Sequence, residues 1–146
     1  MIHNVLSLLE SQANLKNIQM YASTEKAMPP IACEENQIKQ VLLNICKNAM
    51  EALPDGGEIY VQSQRISEEH IQVSIQDNGC GIDPERIPRL GEPFYTTKEN
   101  GTGLGLMVSQ RILEDHGGSL HIESEKGRGT TANILLPVCV PSVHQV

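Results

Sequence analysis

The chain is poor in aromatic residues and in positive charge. Its 146 residues include no tryptophan, one phenylalanine and three tyrosines, so aliphatic side chains must fill the core. Eleven Lys and Arg residues stand against 18 Asp and Glu residues, which gives a formal net charge of −7. Nucleic-acid binders need clustered basic residues to neutralise phosphates, so this class is disfavoured. Nucleotide binding stays open, because backbone N–H groups and a metal ion can hold a small phosphate ligand.

Paired cysteines and long apolar segments are also missing. The four cysteines, Cys33, Cys46, Cys80 and Cys139, form no C-x-x-C pair, which disfavours zinc and disulfide frameworks and predicts free thiols in a reducing cytosol. No signal peptide and no apolar run long enough to cross a bilayer is present. We therefore expect a cytoplasmic domain without direct membrane contact, whose longer parent protein could be membrane-anchored.

Apolar periodicity predicts three main helices and five strands. Helical spacing covers Ile2 to Ala13, about Glu34 to Leu53, and Leu104 to His116, with room for a short helix near 84–90. Strand patterns cover 17–23, 58–64, 71–76, 119–124 and 130–136. Because short loops join adjacent strands, we predict a two-layer α/β sandwich in which helices cover one face of a mixed, mostly antiparallel sheet. The expected domain spans 1–137, and 138–146 are expected to form a loose tail.

Glycine is concentrated in the second half of the chain. Ten of the twelve glycines lie between Gly79 and Gly129, which indicates that the backbone there closely approaches another group. Asp77, in the segment Asp77-Asn78-Gly79-Cys80-Gly81, follows a predicted strand. A carboxylate only accepts hydrogen bonds, so in a pocket it selects adenine, whose exocyclic amine donates, over guanine. The alternative is an Asx turn at the end of a strand.

A second glycine segment, Gly101-Thr102-Gly103-Leu104-Gly105-Leu106, leads into the third predicted helix. Its N–H groups and the helix N-terminus suit a phosphate, although it is neither a P-loop nor a dinucleotide fingerprint. A flexible entry into the helix is the alternative.

Three polar side chains accompany these segments. Asn44 and Asn48 lie one turn apart on the second predicted helix, where the amide oxygen of Asn48 could ligate Mg²⁺. Lys98 could neutralise a terminal phosphate. Ordinary half-exposed or solvated polar residues are the alternatives.

Five motifs in this order resemble the N, G1, F, G2 and G3 boxes of histidine kinases. They cover about residues 34–137 and read Asn44-x-x-x-Asn48-Ala49, Asp77-x-Gly79-x-Gly81, Pro93-Phe94-Tyr95-Thr96-Thr97-Lys98, Gly101 to Leu106, and Gly127-x-Gly129-Thr130. The stretch from Leu90 to Lys98 looks especially like the sporulation kinases of Bacillus relatives. The resemblance implies a Bergerat-type fold that holds ATP between the long helix and a mobile lid.

The resemblance also implies roles for individual residues. Asn48 would hold Mg²⁺, Asp77 the adenine amine, and Lys98 would lie in the lid; Asn44, Asn48 and Lys98 would be the catalytic residues. The remaining ATP-binding residues would be Gly79, Gly81, Ile82, Gly101, Thr102, Gly103, Leu104, Gly105, Leu106 and Thr130. Two positions depart from the pattern. Gly91 replaces a usual phenylalanine, and Glu51 stands where many relatives carry a phosphate-contacting lysine, which leaves that task to Lys98 or Lys47.

The implied function is that of the ATP-binding catalytic domain of a two-component sensor histidine kinase. None of the five histidines is followed by an acidic residue, as a phosphoacceptor would be, so the acceptor is expected on an upstream domain of the same parent protein, with a response regulator as an indirect partner. The alternatives are an anti-sigma-factor-type serine kinase, an ATPase of the gyrase, Hsp90 or MutL type, and a nucleotide-sensing module. The first two usually carry a glutamate base at the position of Asn44. Asparagine cannot abstract a proton, whereas a neutral imidazole already offers a lone pair.

Overall fold

The computed structural model describes residues 2–24, 34–53, 55–79 and 105–138. It contains α1 (Ile2–Leu15), β1 (Ile18–Thr24), α2 (Glu35–Glu51), β2 (Gly57–Arg65), β3 (His70–Asp77), α3 (Gly105–Asp115), β4 (Ser119–Glu125) and β5 (Gly129–Pro137). The predicted main helices and strands are confirmed, with boundaries that agree to within about two residues. The predicted short helix at 84–90, the predicted lid and nearly all of the predicted tail lie outside the described residues.

The five strands form one sheet in the order β1-β2-β3-β5-β4. β1 pairs with β2 in parallel, and α2 lies between them in sequence, as a parallel connection requires. The other three pairs are antiparallel, which confirms the predicted mixed, mostly antiparallel sheet. Because β3 and β5 are neighbours of opposite direction, the end of β3 lies beside the start of β5.

The helices cover one face of this sheet. Val5, Leu9 and Ala13 recur every fourth residue on α1 and are buried, as the amphipathic pattern predicts. The alternation along β2 buries Ile59, Val61 and Ser63 and exposes Tyr60 and Gln62. One aliphatic cluster joins the three helices to the inner face of the sheet. Each Val, Leu or Ile buried there contributes about 1.5–3 kcal/mol.

The second helix has defined ends that set the position of its polar side chains. The carboxylate of Glu34 caps its first turn by accepting the N–H of Asn36. After the helix, Gly56 and Gly57 adopt φ values of +97° and +153°, which turn the chain into β2. None of the helices in the described ranges is both long enough and apolar enough to cross a membrane.

Candidate nucleotide-binding site

A buried carboxylate lies at the end of the central strand β3. Asp77 is 4% exposed and is one of three buried polar residues in the part of the chain that the structure describes. Its Oδ1 accepts the N–H of Gly79 at 2.9 Å, which is the geometry of an Asx turn. Burial raises the pKa of the Asp77 carboxyl, and hydrogen bonds from the backbone N–H groups of Gly79 and Thr130 partly oppose that rise. The turn alternative therefore describes the local bond, but it does not account for a carboxylate buried against the core.

The neighbouring asparagine fixes the turn. The N–H of Glu58 donates to Oδ1 of Asn78 at 2.8 Å, and the N–H of Asn78 donates to the carbonyl of Glu58 at 3.3 Å. These two bonds extend the β2–β3 ladder by one residue, so the direction in which Asp77 and Gly79 leave the strand is set. Sequence reasoning assigned no role to Asn78; its position within Asp-Asn-Gly was the available signal.

Two glycines are required by close backbone packing. A Cβ at Gly79 would overlap the carbonyl oxygen of Ala52, just after α2, and a Cβ at Gly129 would overlap the carbonyl oxygen of Asp77. Gly129 also has a φ of +124°, which favours glycine. The predicted close approach of glycine to another group is therefore present at both positions, but that group is the protein's own backbone. These contacts bring the turn after β3 against α2 and the start of β5.

Thr130 lies beside Asp77 on the helix-covered face of the sheet. The two residues are register partners across β3 and β5. Oγ1 of Thr130 is 2.8 Å from Oγ of Ser124, and the Ser124 hydroxyl also lies 3.0 Å from the carbonyl oxygen of Gly129. Ser124 thus orders the residue predicted to support the adenine site, a contact that the sequence did not indicate.

The polar face of α2 meets the helix that follows the second glycine segment. Asn44 and Asn48 are both half-buried and lie one turn apart. Nδ2 of Asn44 donates to Oγ of Ser109 on α3 at 3.4 Å, and Ser109 is fully buried. Because Nδ2 of Asn44 points to Ser109, the amide oxygen Oδ1 of Asn44 is the atom that can accept a hydrogen bond from another group. Lys47, the alternative phosphate contact, is exposed on α2.

The structure groups the predicted residues that it describes into two sets. Asp77, Gly79 and Thr130 meet where β3 ends and β5 begins. Asn44 and Asn48 share a face of α2, which is joined to α3 a few residues after Gly105 and Leu106 begin that helix. The contact between Gly79 and Ala52 links the two sets. Outside the described residues lie the predicted positions Gly81, Ile82, Lys98, Gly101, Thr102, Gly103 and Leu104.

The donor atoms at this site suit a hard divalent cation. Within the described ranges, no three His, Cys, Asp or Glu side chains cluster as a metal site. Amide oxygens such as that of Asn48 are hard ligands, and Mg²⁺ takes few protein ligands when phosphate oxygens and water complete its shell. The residues present therefore fit a magnesium ion carried in with a nucleotide phosphate.

The chain therefore combines a two-layer sandwich with a buried carboxylate at the β3–β5 junction and an asparagine pair on the covering helix α2. Comparison with known families matches residues 33–139 to the histidine kinase-, DNA gyrase B-, and HSP90-like ATPases. The chain belongs to this family. Within the family it is a histidine kinase catalytic domain, and as an ATPase domain it binds ATP.

The similar curated proteins include sporulation kinases, which the sequence motifs resemble. Sporulation kinase E of Bacillus subtilis (strain 168) is 51% identical over 137 residues, which are 94% of this chain and 19% of that protein. Sporulation kinase A of the same strain is 44% identical, again over 94% of this chain and 22% of its own length. The chain thus spans about a fifth of the length of these relatives.

Solved structures give the same assignment. The catalytic domain of histidine kinase ThkA superposes with a TM-score of 0.84 at 33% identity, over 94% of this chain and 90% of that domain. Full-length ShkA in complex with AMPPNP superposes with a TM-score of 0.87 at 26% identity, over 96% of this chain and 30% of ShkA. The predicted Bergerat-type α/β fold is therefore confirmed.

Proposed function

We propose that this domain binds Mg-ATP and transfers the γ-phosphate to a histidine on a phosphoacceptor domain of the same parent protein. The observation that carries the proposal is the buried Asp77, which Gly79 and Thr130 flank in a histidine kinase catalytic fold. A carboxylate buried to this degree must gain hydrogen bonds to offset its desolvation. The exocyclic amine of adenine would supply one.

Adenine recognition follows from the chemistry of the two flanking residues. Gly79 and Thr130 direct backbone N–H groups at the carboxylate, and these bonds favour its ionised form, which only accepts hydrogen bonds. Asp77 would therefore prefer a base that donates at this position, as adenine does, and would repel the carbonyl oxygen of guanine. The ShkA structure in complex with AMPPNP, an ATP analogue, supports this choice of ligand.

The phosphates would lie toward the asparagine pair. Asn48 is the proposed magnesium ligand, and a bound Mg²⁺ would supply neutralisation of phosphate charge. Lys98 and the segment 101–106 are proposed to contact the phosphates; both are predictions from the sequence. Asn44 remains neutral and removes no proton, which is sufficient because neutral imidazole attacks through its own lone pair.

A response regulator is the proposed next partner. ThkA, which is 29% identical to this chain in that structure, was solved in complex with the response regulator protein TrrA. By analogy, the phosphoryl group on the histidine domain would pass on to a regulator.

Transfer of a radioactive terminal phosphate from ATP tests this function. The chain alone should bind ATP without labelling itself, because transfer needs a nucleophile placed within about 3–3.5 Å of the phosphorus. Addition of the parent protein's phosphoacceptor helices as a separate domain should give label on that domain, and the label should be acid-labile, as a phosphoramidate is. Acid-stable label on a partner serine would instead support the serine kinase class. Robust self-labelling would contradict an acceptor on another domain.

A further inference from the structure

We propose that Ser109 is a positioning residue that holds Asn44 in place for phosphoryl transfer. The inference rests on the proposed function, because it concerns the rate of that same reaction. Ser109 lies one turn into α3, just after the predicted phosphate segment, and its hydroxyl bridges to Asn44 on α2 across 65 residues of sequence.

The burial of Ser109 gives its hydroxyl a specific effect. Its side chain is fully buried, on a helix whose residues Ile112 and Leu113 are also buried. Burial removes the bonds of a hydroxyl to water, and a hydrogen bond inside the protein offsets that cost. The amide nitrogen of Asn44 supplies such a bond to Ser109 at 3.4 Å. The bond therefore ties a catalytic candidate to the core of the domain.

The consequence for Asn44 is loss of side-chain freedom. An asparagine on a half-exposed helix face normally samples several rotamers. With its nitrogen held against α3, Asn44 presents its oxygen from a fixed position, one turn before the proposed metal ligand Asn48. Such fixed polar groups are what stabilise transferred phosphoryl groups.

The two helices do not depend on this bond for their packing. His116 joins them elsewhere: its Nε2 accepts the N–H of Glu34 at 3.0 Å, at the start of α2, while its Nδ1 donates to the carbonyl of Ile112 at 2.7 Å. The apolar cluster includes residues of both helices. Removing the Ser109 hydroxyl should therefore free Asn44 without separating α2 from α3.

A double-mutant cycle tests the proposal. ATP affinity and the single-turnover rate of transfer to the separate phosphoacceptor domain are measured for wild type, Ser109→Ala, Asn44→Ala and the double variant. Loss of one hydrogen bond should slow transfer by about 2- to 10-fold in Ser109→Ala and leave ATP affinity within about 2-fold. In the Asn44→Ala background, Ser109→Ala should have no further effect on the rate.

Two further variants secure the interpretation. Ser63 is a second buried serine, 3% exposed, whose hydroxyl has no hydrogen-bond partner among the residues that the structure describes. Ser63→Ala is the matched control and should transfer at the wild-type rate. Ser109→Cys nearly keeps the size of the side chain, but a thiol accepts hydrogen bonds poorly. Its transfer rate should therefore match that of Ser109→Ala, which would show that loss of the hydrogen bond, and not a packing defect of alanine, slows transfer.

The outcomes separate this proposal from the proposed function. If both Ser109 variants transfer phosphate at the wild-type rate, the role of Ser109 is overturned while the proposed function stands. The same holds if Ser109→Ala slows transfer equally in the wild-type and Asn44→Ala backgrounds. A parallel loss of ATP affinity and rate would do the same, because it would indicate a structural role. A wild-type domain that binds ATP but labels no histidine would overturn the proposed function, and the role of Ser109 in transfer with it.

Discussion

The conservative change Asp77→Asn isolates the charge of the buried carboxylate. Asparagine has nearly the same size and keeps one oxygen, which can still accept the N–H of Gly79. The other oxygen is replaced by an amide NH₂ group, which donates hydrogen bonds and cannot accept them. If Asp77 binds the exocyclic amine of adenine, this variant should fold normally and bind ATP more weakly.

The size of the expected loss follows from the bond that is removed. A hydrogen bond to a charged group contributes about 1.5–3 kcal/mol, which corresponds to about 10- to 100-fold in affinity. Asp77 is almost fully buried, so water cannot replace the lost interaction easily and the upper part of this range is expected. Discrimination against GTP should weaken in the variant, because the carboxylate no longer repels the guanine oxygen.

Calorimetric titration with Mg-ATP and Mg-GTP measures both effects. Asp55→Asn is the matched control, since Asp55 is exposed and the same chemical change there should leave ATP affinity unaltered. Equal affinities of the wild type for ATP and GTP would refute the role of Asp77. So would an Asp77→Asn variant that binds ATP as tightly as the Asp55 control.

The raised pKa of Asp77 adds a test based on pH. Burial raises its pKa in the folded state, so the folded state holds the proton more tightly than the unfolded chain. The ionised group therefore costs stability at neutral pH, and that cost disappears as the pH falls through the raised pKa toward the ordinary value. Without ATP, the free energy of unfolding of wild type should rise relative to Asp77→Asn over this window, while the ATP affinity of wild type should fall. A stability difference that is independent of pH would show that Asp77 has an ordinary pKa.

Two other changes test the second half of the site and the packing of its glycines. Asn48→Ala should make nucleotide affinity nearly insensitive to added Mg²⁺ while the fold stays intact; full Mg²⁺ dependence in titrations of the variant would place the metal elsewhere. Gly129→Ala combines a strained φ with overlap on Asp77, so urea unfolding should show a loss of about 3 kcal/mol or more. Gly127 has a φ of +86°, and among the described residues no atom beyond its chain neighbours lies within 4 Å of a Cβ added there. Gly127→Ala should therefore lose only about 1–2 kcal/mol, and equal losses would contradict the close contact at Gly129.

The helices and strands could be predicted because local patterns encode them strongly. The apolar residues of α1 and α2 repeat at helical spacing, and β2 and β3 alternate over nine and eight residues. Glycine pairs end α2 and α3 at well-defined points, which explains the accurate boundaries. The position of β5 between β3 and β4 depends on long-range pairing, so periodicity alone could not supply the strand order.

The candidate site divides in the same way. Asp77 could be predicted because an aspartate followed by glycines at a strand end matches one of five histidine kinase boxes that occur in order along the chain. Ser109 did not, because its role depends on a contact with Asn44 that is distant in sequence. Ser124 likewise acts through the hairpin partner Thr130. Residues that position other residues are hard to predict from the sequence, because their partners are brought close only by the tertiary fold.

The glycines show why fold and ligand site cannot be separated at the adenine end. Their concentration indicated close approach of the backbone to another group. At Gly79 and Gly129 that group is the protein's own backbone, because both glycines allow β3, β5 and the end of α2 to approach one another. Asp77 is buried by that same approach, and its burial gives the carboxylate both its raised pKa and its need for a donor. If a glycine substitution abolishes ATP binding, disturbed packing of the protein therefore explains the loss before a missing ligand contact does. Only side chains that can change charge at constant size, as Asp77 can, distinguish recognition of the base from assembly of the pocket.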